Sequence, residues 1–404
     1  MPTRHWNKEK DIKNLENMKA IKKMLLVLLF ICWNASLAQE LGANFNHNAE
    51  IIDFEYLEKV EVNWVRTTPR IIDYVNGELS VENDPALQKV IEAGKKGYKI
   101  AFGFRWDFKM HNMQIPASGS SEEERLFDTA RQILNKVGPY VDIFKLGNEP
   151  NLETLPEDMK LNSNDEIPLL ELTDRFLYQV VLPYFKKETE KVPDIYIGSF
   201  PALFEERFQK NEAVVGLLEY TQHNPDISGL SLHLHIEDTT EIDEAFKFVR
   251  KIVKEKPIII PEFSLHRLYR KKLPEPLNST EKGEDFAIKY NHDPEMKLFE
   301  WFSIANTNRV DAKQWDELFE SRHWFTKDFF DIYFDSFQKY RVVLATYPLF
   351  QQSCPENMTE NSPAWFINPI FCQKSLEINS DGDFSENPLW AESFKKWVRN
   401  GKNR

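Results

Sequence analysis

Two glutamates occupy positions where the sequence predicts that a buried strand ends. Glu149 follows an apolar run over residues 141–146, and the Gly-Asn-Glu-Pro sequence around it is unsuited to continuing a strand. Glu262 follows a second apolar run over residues 257–260. A facing pair of carboxylic acids is what hydrolysis of a glycosidic bond requires. One donates a proton to the leaving oxygen, and the other, ionised, attacks the sugar or activates water.

The elements that would bring these glutamates together repeat along the chain. Short apolar runs alternate with longer amphipathic stretches, which predicts strands over 41–45, 62–69, 98–106, 141–146, 195–200, 229–235, 257–263 and 341–347. Helices are predicted over 49–60, 84–96, 121–137, 169–189, 211–222, 241–255 and 388–398. Eight strands alternating with helices favour a parallel sheet closed into a (β/α)8 TIM barrel, here a single α/β domain over residues 40–404.

In such a barrel the two glutamates end strands four and seven, whose carboxyl ends meet at the same mouth. Counting by twos, Ile258, Ile260 and Glu262 would share one face of strand seven. The long loops after strands seven and eight, over 267–296 and 350–386, lie on the face of the barrel where active sites are built. We therefore expect these loops to shape the groove around the carboxylates.

This arrangement resembles a known group of enzymes. Asn148-Glu149-Pro150 at the end of a fourth strand, with Glu262 ending a seventh, is similar to the pattern of the clan A glycoside hydrolases, which are retaining enzymes on a (β/α)8 barrel. The resemblance implies that Glu149 is the acid/base, Glu262 the nucleophile and Asn148 a donor to the sugar 2-hydroxyl. It covers residues 41–398 as architecture but only a few positions as motif, so the family within the clan is not resolved.

Further polar residues match positions that the clan uses. Arg66, at the end of strand two, matches an arginine that hydrogen-bonds the nucleophile and keeps its pKa low, and Arg70 is close enough in sequence to compete for that role. His233 and His235 share one face of strand six, near where the clan carries a His or Tyr that contacts the nucleophile or the substrate. A solvated surface arginine and a buried structural histidine are the alternatives for these positions.

Aromatic residues near strand ends are candidates for the platform on which a sugar ring stacks. Trp106 follows strand three, Phe263 follows Glu262, and Trp365 lies in the loop after strand eight. The clan often places a Trp near the end of strand eight, under the sugar whose bond is cut, although Trp365 lies well past that strand in sequence. Because the chain has ten Trp and 30 Phe, and barrels also bury such side chains against their helices, each candidate has a core position as its alternative.

The remaining composition limits the partners. The net charge of −13 argues against a nucleic-acid partner, which would demand a basic surface. The basic segment 267–272 indicates either a solvated face or contact with a uronic acid or sulfated sugar. Because no second group with metal-ligand spacing accompanies His233 and His235, the sequence predicts no metal and no cofactor. Cys354 and Cys372 are either a disulfide, if the chain is exported, or two free thiols.

The N-terminal segment is typical of an exported protein. Lysines precede a short apolar run over 24–33, and small residues follow it, which predicts a secretory signal peptide within residues 1–39 and a secreted or periplasmic location. The run is too short to span a bilayer, and Met18 would be a more natural start than Met1. Cys32 lacks the small preceding residues of a lipoprotein cleavage site, which disfavours a lipid-anchored form.

The expected function is therefore a retaining glycoside hydrolase that acts on a poly- or oligosaccharide. A non-catalytic carbohydrate-binding barrel is the alternative, although such a protein would need neither Glu149 nor Glu262. A metal-dependent hydrolase is disfavoured by the sparse ligand set, and fold alone does not decide between these functions. The sugar and its linkage, exo or endo action and the oligomeric state are left open by the sequence.

Overall fold

Eight parallel strands form the centre of the protein. In a computed structural model, which describes residues 39–402, each strand pairs with its neighbour in sequence and the last pairs with the first, so the barrel is closed. The strands are β1 (Glu40–Asn44), β2 (Trp64–Thr67), β3 (Lys99–Gly103), β4 (Val141–Leu146), β5 (Asp194–Pro201), β6 (Gly229–His235), β7 (Ile258–Ser264) and β8 (Val342–Pro348). The predicted (β/α)8 barrel is confirmed. The predicted signal peptide, except for Gln39, and Cys32 lie outside the described residues.

Helices fill the connections between the strands. The α-helices outside the β7–β8 connection are Phe54–Lys59, Ile71–Val75, Pro85–Lys95, Ser121–Val137, Pro150–Glu153, Pro168–Phe176, Leu182–Glu188, Glu206–Gln209, Glu212–His223, Thr240–Ile252 and Ala391–Lys402. Single 3-10 turns occur at Ala49–Ile51, Gly138–Tyr140, Pro156–Met159, Leu277–Ser279 and Trp365–Ile367, and a π-helical turn at Leu177–Val181. At one helix start the Ser120 side chain accepts a hydrogen bond from the Glu123 amide, and acidic residues in the first turn suit the helix dipole.

The connection between β7 and β8 is long, as predicted, but it is largely helical. It contains five α-helices, over His266–Lys272, Glu281–Lys289, Leu298–Asn308, Ala312–Glu320 and Phe329–Lys339. Its apolar side chains, including Leu273, Leu277 and Phe286, are buried and hold the helices against the rest of the protein. The segment after β8, by contrast, has one 3-10 turn and a few isolated bridges before the last helix. Within residues 39–402 no helix has the length and apolarity needed to cross a membrane.

The barrel wall separates two apolar cores. The larger, the outer core, lies between the strands and the helices. The smaller, the interior cluster, lies inside the barrel and comprises Trp64, Ala101, Ile143, Tyr196, Ile259 and Leu344. Gly42 on β1 makes room for the interior indole, because a Cβ there would lie 2.5 Å from the Cβ of Trp64. The barrel also buries charged side chains, Arg66 and Lys145, and these belong to the candidate site described below.

The two cysteines of the described chain are free thiols. Cys354 and Cys372 form no disulfide in the structure, so the second of the two alternatives left open by the sequence is the observed one. Burial raises the pKa of Cys354 to about 11 and raises the pKa of Cys372 well above the ordinary range. Both side chains are therefore protonated, unreactive thiols at neutral pH.

Candidate active site

Glu149 stands on a strained turn at the end of β4. Gly147 has a φ of 90°, a left-handed conformation that favours glycine, and a Cβ at this position would lie 3.1 Å from Nε1 of Trp106. Glu149 itself has φ 39° and ψ 48°, a conformation that costs a residue with a side chain about 1–2 kcal/mol. Its amide donates to the carbonyl of Ser199 at 3.1 Å. The turn leaves the Glu149 side chain on the wall of the cavity at the barrel mouth, 21% exposed.

Glu262 reaches the same cavity through a bulge in β7. Ser231 of β6 pairs with Ile259, but His233, two residues later, pairs with Glu262, so β7 carries one extra residue between these points. Pro261 is suited to a bulge because it has no N–H to give to the strand ladder. Its carbonyl accepts a hydrogen bond from the Thr346 hydroxyl at 2.6 Å.

The bulge overturns the expected alternation along strand seven. Ile259 belongs to the interior cluster, whereas Ile258 and Ile260 belong to the outer core. The prediction that Ile258, Ile260 and Glu262 share one face is therefore wrong, because the extra residue returns Glu262 to the inner face. Phe263 is turned outward, 1% exposed and packed on aromatic residues of the outer core, so its ring is not placed as a sugar platform.

Arg66 is fully buried and binds Glu262. Its Nη1 donates to Oε1 of Glu262 at 2.6 Å and to Oδ1 of Asn44 at 2.8 Å. Its Nη2 donates to Oδ1 of Asn148 at 2.7 Å. Arg66, and not Arg70, therefore contacts Glu262, although the sequence left both arginines as candidates for this position.

The pKa of Glu262 lies well below the ordinary glutamate range. Burial raises this pKa, but the charges of His233 and Arg66 and the hydrogen bond with His235 lower it by more. Glu262 is therefore ionised at neutral pH, the state that an attacking carboxylate needs.

Two histidines of β6 connect the glutamates. Nδ1 of His233 lies 3.0 Å from Oε1 of Glu149, and its Nε2 lies 3.5 Å from Oε1 of Glu262. Nε2 of His235 lies 3.3 Å from Oε2 of Glu262, and its Nδ1 lies 2.8 Å from Oγ of Ser264. With its proton on Nε2, a neutral His233 would accept a hydrogen bond from a protonated Glu149 and turn its N–H toward Glu262. That is the protonation pattern that a proton donor and an ionised partner require.

The protonation of Glu149 depends on His233. Burial raises the pKa of Glu149, while the hydrogen bond and the charge of His233 lower it, and the net result is a lowered pKa. The charge effect requires a protonated imidazole, and burial lowers the pKa of His233 and disfavours that form. When His233 is neutral, burial and the negative charge of Glu262 both favour a protonated Glu149, while the charge of Arg66 and the hydrogen bond with His235 remain to lower the pKa of Glu262.

Asn148 is held from both sides, and one of its partners was missed in the sequence. While its Oδ1 accepts from Arg66, its Nδ2 donates to Oε1 of Glu153 at 2.9 Å, which leaves one amide N–H for a ligand in the cavity. Glu153 is buried, and burial raises its pKa to about 8. Its spacing of one helical turn from Glu149 was the only signal for it in the sequence.

Lys145 is a second residue that the sequence reasoning missed. Its side chain is fully buried, and its Nζ has no hydrogen-bond partner among residues 39–402. Burial and the charge of Arg66 lower its pKa well below the ordinary lysine value. Strand alternation places Lys145 on the same face as Ile143 of the interior cluster. The alternating pattern of β4 therefore predicts a lysine inside the barrel.

Trp365 lies on the cavity wall, and Trp106 does not. Trp365 stacks on the imidazole of His266, with ring centroids 3.4 Å apart, and meets the His235 ring edge-on at 4.8 Å. The segment after β8 folds back over the mouth, which accounts for the separation of Trp365 from its strand. Trp106 is buried and stacks on Phe108 at 5.8 Å, so the structure places its indole in the core and not on the cavity wall.

The cavity that these residues enclose has a volume of about 330 Å³. Both glutamates, Asn148, His235 and Trp365 line it, together with residues from the connections after β1, β2 and β3. This volume lies near the lower end of the range of about 300–1,000 Å³ that is typical of small-molecule sites. Arg66 and His233 are buried behind its wall and act on a ligand only through the glutamates and Asn148.

One group of side chains among residues 39–402 could hold a metal ion. Donor atoms of Glu149, His233 and His235 all lie within 4.8 Å of one another. Two imidazoles and one carboxylate are a ligand set that suits Zn²⁺. In the structure the Nδ1 atoms of His233 and His235 are engaged with Glu149 and Ser264, whereas their Nε2 atoms, which lie near Glu262, have no other hydrogen-bond partner among the described residues, and the absence of a metal from the reaction stays a prediction.

Solved structures share the fold of this chain at low sequence identity. No protein-family model matches the sequence, and no curated protein matches it. A β-glucosidase from Thermotoga maritima bound to a calystegine derivative matches with a TM-score of 0.51 and 12% identity, over 90% of this chain and 98% of that chain. The same enzyme bound to glucoimidazole matches with a TM-score of 0.50 and 12% identity, again over 90% and 98%. A GH10 xylanase from Thermobacillus composti matches with a TM-score of 0.46 and 12% identity, over 90% and 97%.

Other similar structures are described as a GH5 cellulase, a family 1 β-glucosidase from Thermotoga maritima and a glycoside hydrolase family 30 xylanase from Clostridium acetobutylicum. These comparisons leave the family of this chain unresolved. At this level of identity, the likeness establishes the (β/α)8 fold and nothing finer.

Proposed function

We propose that this protein is a retaining glycoside hydrolase with Glu149 as acid/base and Glu262 as nucleophile. The observation that carries the proposal is the meeting of the two carboxyl groups on one cavity, with His233 3.0 Å from one and 3.5 Å from the other. A buried arginine holds one of them ionised. A carbohydrate-binding barrel needs neither feature, whereas glycosidic bond hydrolysis needs both.

In the first half of the proposed reaction, Glu149 gives its proton to the glycosidic oxygen while Glu262 attacks the anomeric carbon. The bond from that carbon to the leaving oxygen breaks, and a glycosyl ester of Glu262 forms. Arg66 orients Glu262 through the 2.6 Å hydrogen bond. In the second half, Glu149 takes a proton from water, which attacks the ester and releases the sugar with its original configuration.

The neighbouring residues have supporting parts in this proposal. Asn148 offers its remaining amide N–H to the sugar 2-hydroxyl, because its other donor and its acceptor are engaged by Glu153 and Arg66. Trp365 offers an indole edge or face to the sugar ring on the cavity wall. The proposal takes the retaining stereochemistry and an equatorial glycosidic bond from the clan resemblance. It takes a secreted or periplasmic location from the N-terminal sequence pattern.

The test replaces each glutamate separately and assays activated aryl glycosides. Glu149→Gln and Glu262→Gln should each lower kcat by a factor of at least about 10²–10⁴, while Glu157→Gln, an exposed residue outside the cavity, should leave kcat unchanged. Azide added to Glu149→Ala should restore turnover and give a glycosyl azide of retained configuration.

Two results would contradict the proposal. Full activity in either glutamine variant would remove that residue from the reaction, and an inverted anomer as the first-formed product would exclude retention. A parent protein that binds oligosaccharides without cleaving them would favour the binding-barrel alternative.

A further inference from the structure

Two arginines lie side by side on one wall of the cavity, at the ends of β2 and β3. The pairing of these strands continues beyond them: the Arg105 amide donates to the carbonyl of Pro69 at 2.9 Å, and the Ile71 amide donates to the carbonyl of Arg105 at 3.0 Å. Arg70 and Arg105 are bridge partners in this extension, so their side chains leave the same face. Both line the cavity that contains Glu149.

One carboxylate holds both guanidinium groups by their Nε atoms. Oδ1 of Asp107 accepts from Nε of Arg105 at 2.7 Å, and its Oδ2 lies 3.3 Å from Nε of Arg70. Asp107 is almost completely buried and has a left-handed φ of 52°. No hydrogen bond from the terminal Nη groups of Arg70 or Arg105 to another residue is found within residues 39–402. The donor-rich ends of both side chains are thus left for a ligand.

The charge of this wall is unbalanced toward positive. Asp107 brings one negative charge to two guanidinium groups. Glu153 also lies 3.0 Å from Nε of Arg105, but burial raises its pKa to about 8, so it is mostly protonated at neutral pH. The neighbouring His47 responds to the same potential: burial and the charges of Arg70 and Arg105 lower its pKa to about 4. A cationic wall inside a protein of net charge −13 suits an anionic ligand.

We propose that Arg70 and Arg105 form a subsite for an anionic group of the substrate, either a uronate carboxylate or a sulfate ester. Guanidinium forks match the paired oxygens of such groups and bind them with two parallel hydrogen bonds. The subsite opens on the same cavity as Glu149 and Glu262, so an acidic sugar would be bound within reach of the cleavage site. This inference rests on the proposed function and narrows its substrate to acidic poly- or oligosaccharides.

The basic segment 267–272, which the sequence indicated for contact with an anionic sugar, forms ion pairs outside the cavity. Arg267 is paired with Glu205 at 2.7 Å and Lys272 with Glu275 at 3.2 Å. Residues 267–272 form a helix that does not line the cavity. A contact with an anionic sugar is therefore proposed for the wall of the cavity and not for this segment.

The experiment compares acidic polysaccharides with their own neutral forms. Polygalacturonate, glucuronoxylan and a glucuronan are each assayed by release of reducing ends before and after carboxyl reduction, and a sulfated galactan before and after desulfation. We expect at least one acidic form to be cleaved with a kcat/KM at least about tenfold above that of its neutral form. A preference for the carboxylated polymers over their reduced forms would identify the anionic group as a carboxylate. A preference for the sulfated galactan over its desulfated form would identify it as a sulfate.

Variants connect the preference to the two arginines. Arg70→Gln and Arg105→Gln should each reduce the acidic-to-neutral ratio of kcat/KM by at least about tenfold, mainly through KM, and Arg70→Lys should retain part of it. Arg267→Gln removes an ion-paired arginine outside the cavity and should leave the ratio unchanged. If a glutamine variant does not fold, Arg70→Lys, a corresponding Arg105→Lys variant and the matched polymers still decide the outcome.

The failure of this inference is distinguishable from the failure of the proposed function. Equal cleavage of acidic and neutral forms, or equal loss on both in the arginine variants, would overturn the subsite and leave the hydrolase intact. No cleavage of any polymer or aryl glycoside would overturn the hydrolase. Thermal shifts with acidic and carboxyl-reduced oligosaccharides would then decide the subsite alone, and equal shifts would overturn it.

Discussion

Replacing Arg66 with methionine should move the acid limb of the pH–rate profile to higher pH. Arg66 is a buried cation whose Nη1 lies 2.6 Å from Oε1 of Glu262, and its charge is one reason why the pKa of Glu262 is low. Methionine fills similar space without the charge. An opposite charge at this distance lowers a carboxyl pKa by about 1–3 units, so the acid limb in kcat/KM should rise by about the same amount.

The same substitution should change stability in a pH-dependent way. Because the pKa of Glu262 is depressed in the folded protein, its ionisation stabilises the fold above the ordinary glutamate pKa, and this stability is lost as the pH falls through the depressed value. Arg66→Met leaves a buried carboxylate without its partner, which should cost about 3–5 kcal/mol of unfolding free energy at pH 7. The deficit should shrink as the pH falls toward the raised pKa of Glu262, because the carboxyl of the variant takes up a proton at a higher pH than that of the parent.

The measurements are pH profiles on an activated aryl glycoside and urea unfolding at a series of pH values from 7 down to about 4. Arg267→Met is the matched control, because it removes an arginine that is paired with Glu205 outside the cavity. Its acid limb should coincide with that of the parent. An unmoved acid limb in a folded Arg66→Met variant would show that Arg66 does not set the ionisation of Glu262, and the account of the nucleophile would be wrong.

Three further predictions concern the turn, the imidazoles and the thiols. Gly147→Ala should lower the free energy of unfolding by more than the roughly 1–2 kcal/mol expected for a left-handed φ alone, because the new Cβ would meet the indole nitrogen of Trp106. Gly77 also has a left-handed φ but has open space around it, so Gly77→Ala is the control. Equal losses of stability for the two variants in urea unfolding would contradict this prediction. Zn²⁺ should inhibit hydrolysis reversibly, and His235→Asn should raise the half-inhibitory concentration by about tenfold; unchanged inhibition would place the ion elsewhere. Cys354 and Cys372 should titrate as thiols in the unfolded chain without reductant, and a shortfall of two thiols would indicate a disulfide.

The barrel and the two glutamates were predictable because they depend on patterns that extend over many residues. Strands buried on both faces give apolar runs that survive local irregularities, and counting eight of them is enough to predict closure. Glu149 and Glu262 were visible as carboxylates at the ends of such runs. Their place in the barrel follows from strand number and requires no knowledge of side-chain packing.

Other features depend on single residues or on contacts distant in sequence. Trp106 and Trp365 look alike as aromatics near strand ends, yet one is enclosed by the core and the other is carried back to the cavity by an irregular segment. Arg70 and Arg66 were competitors in the sequence, and only the buried contact with Glu262 separates them. Glu153 has no pattern beyond its distance from Glu149.

The extra residue in β7 has a consequence for how this barrel tolerates insertions and deletions. In a regular strand, the gain or loss of one residue turns every following side chain to the opposite face. Here Ile259 is fixed opposite Ser231 and Glu262 opposite His233, and the strand between them holds two residues where its partner holds one. Loss of one of the two would leave the carboxylate facing the same imidazole. Descendants of a common ancestor could therefore differ by a one-residue gap in the middle of a core strand and still present the same glutamate to the substrate.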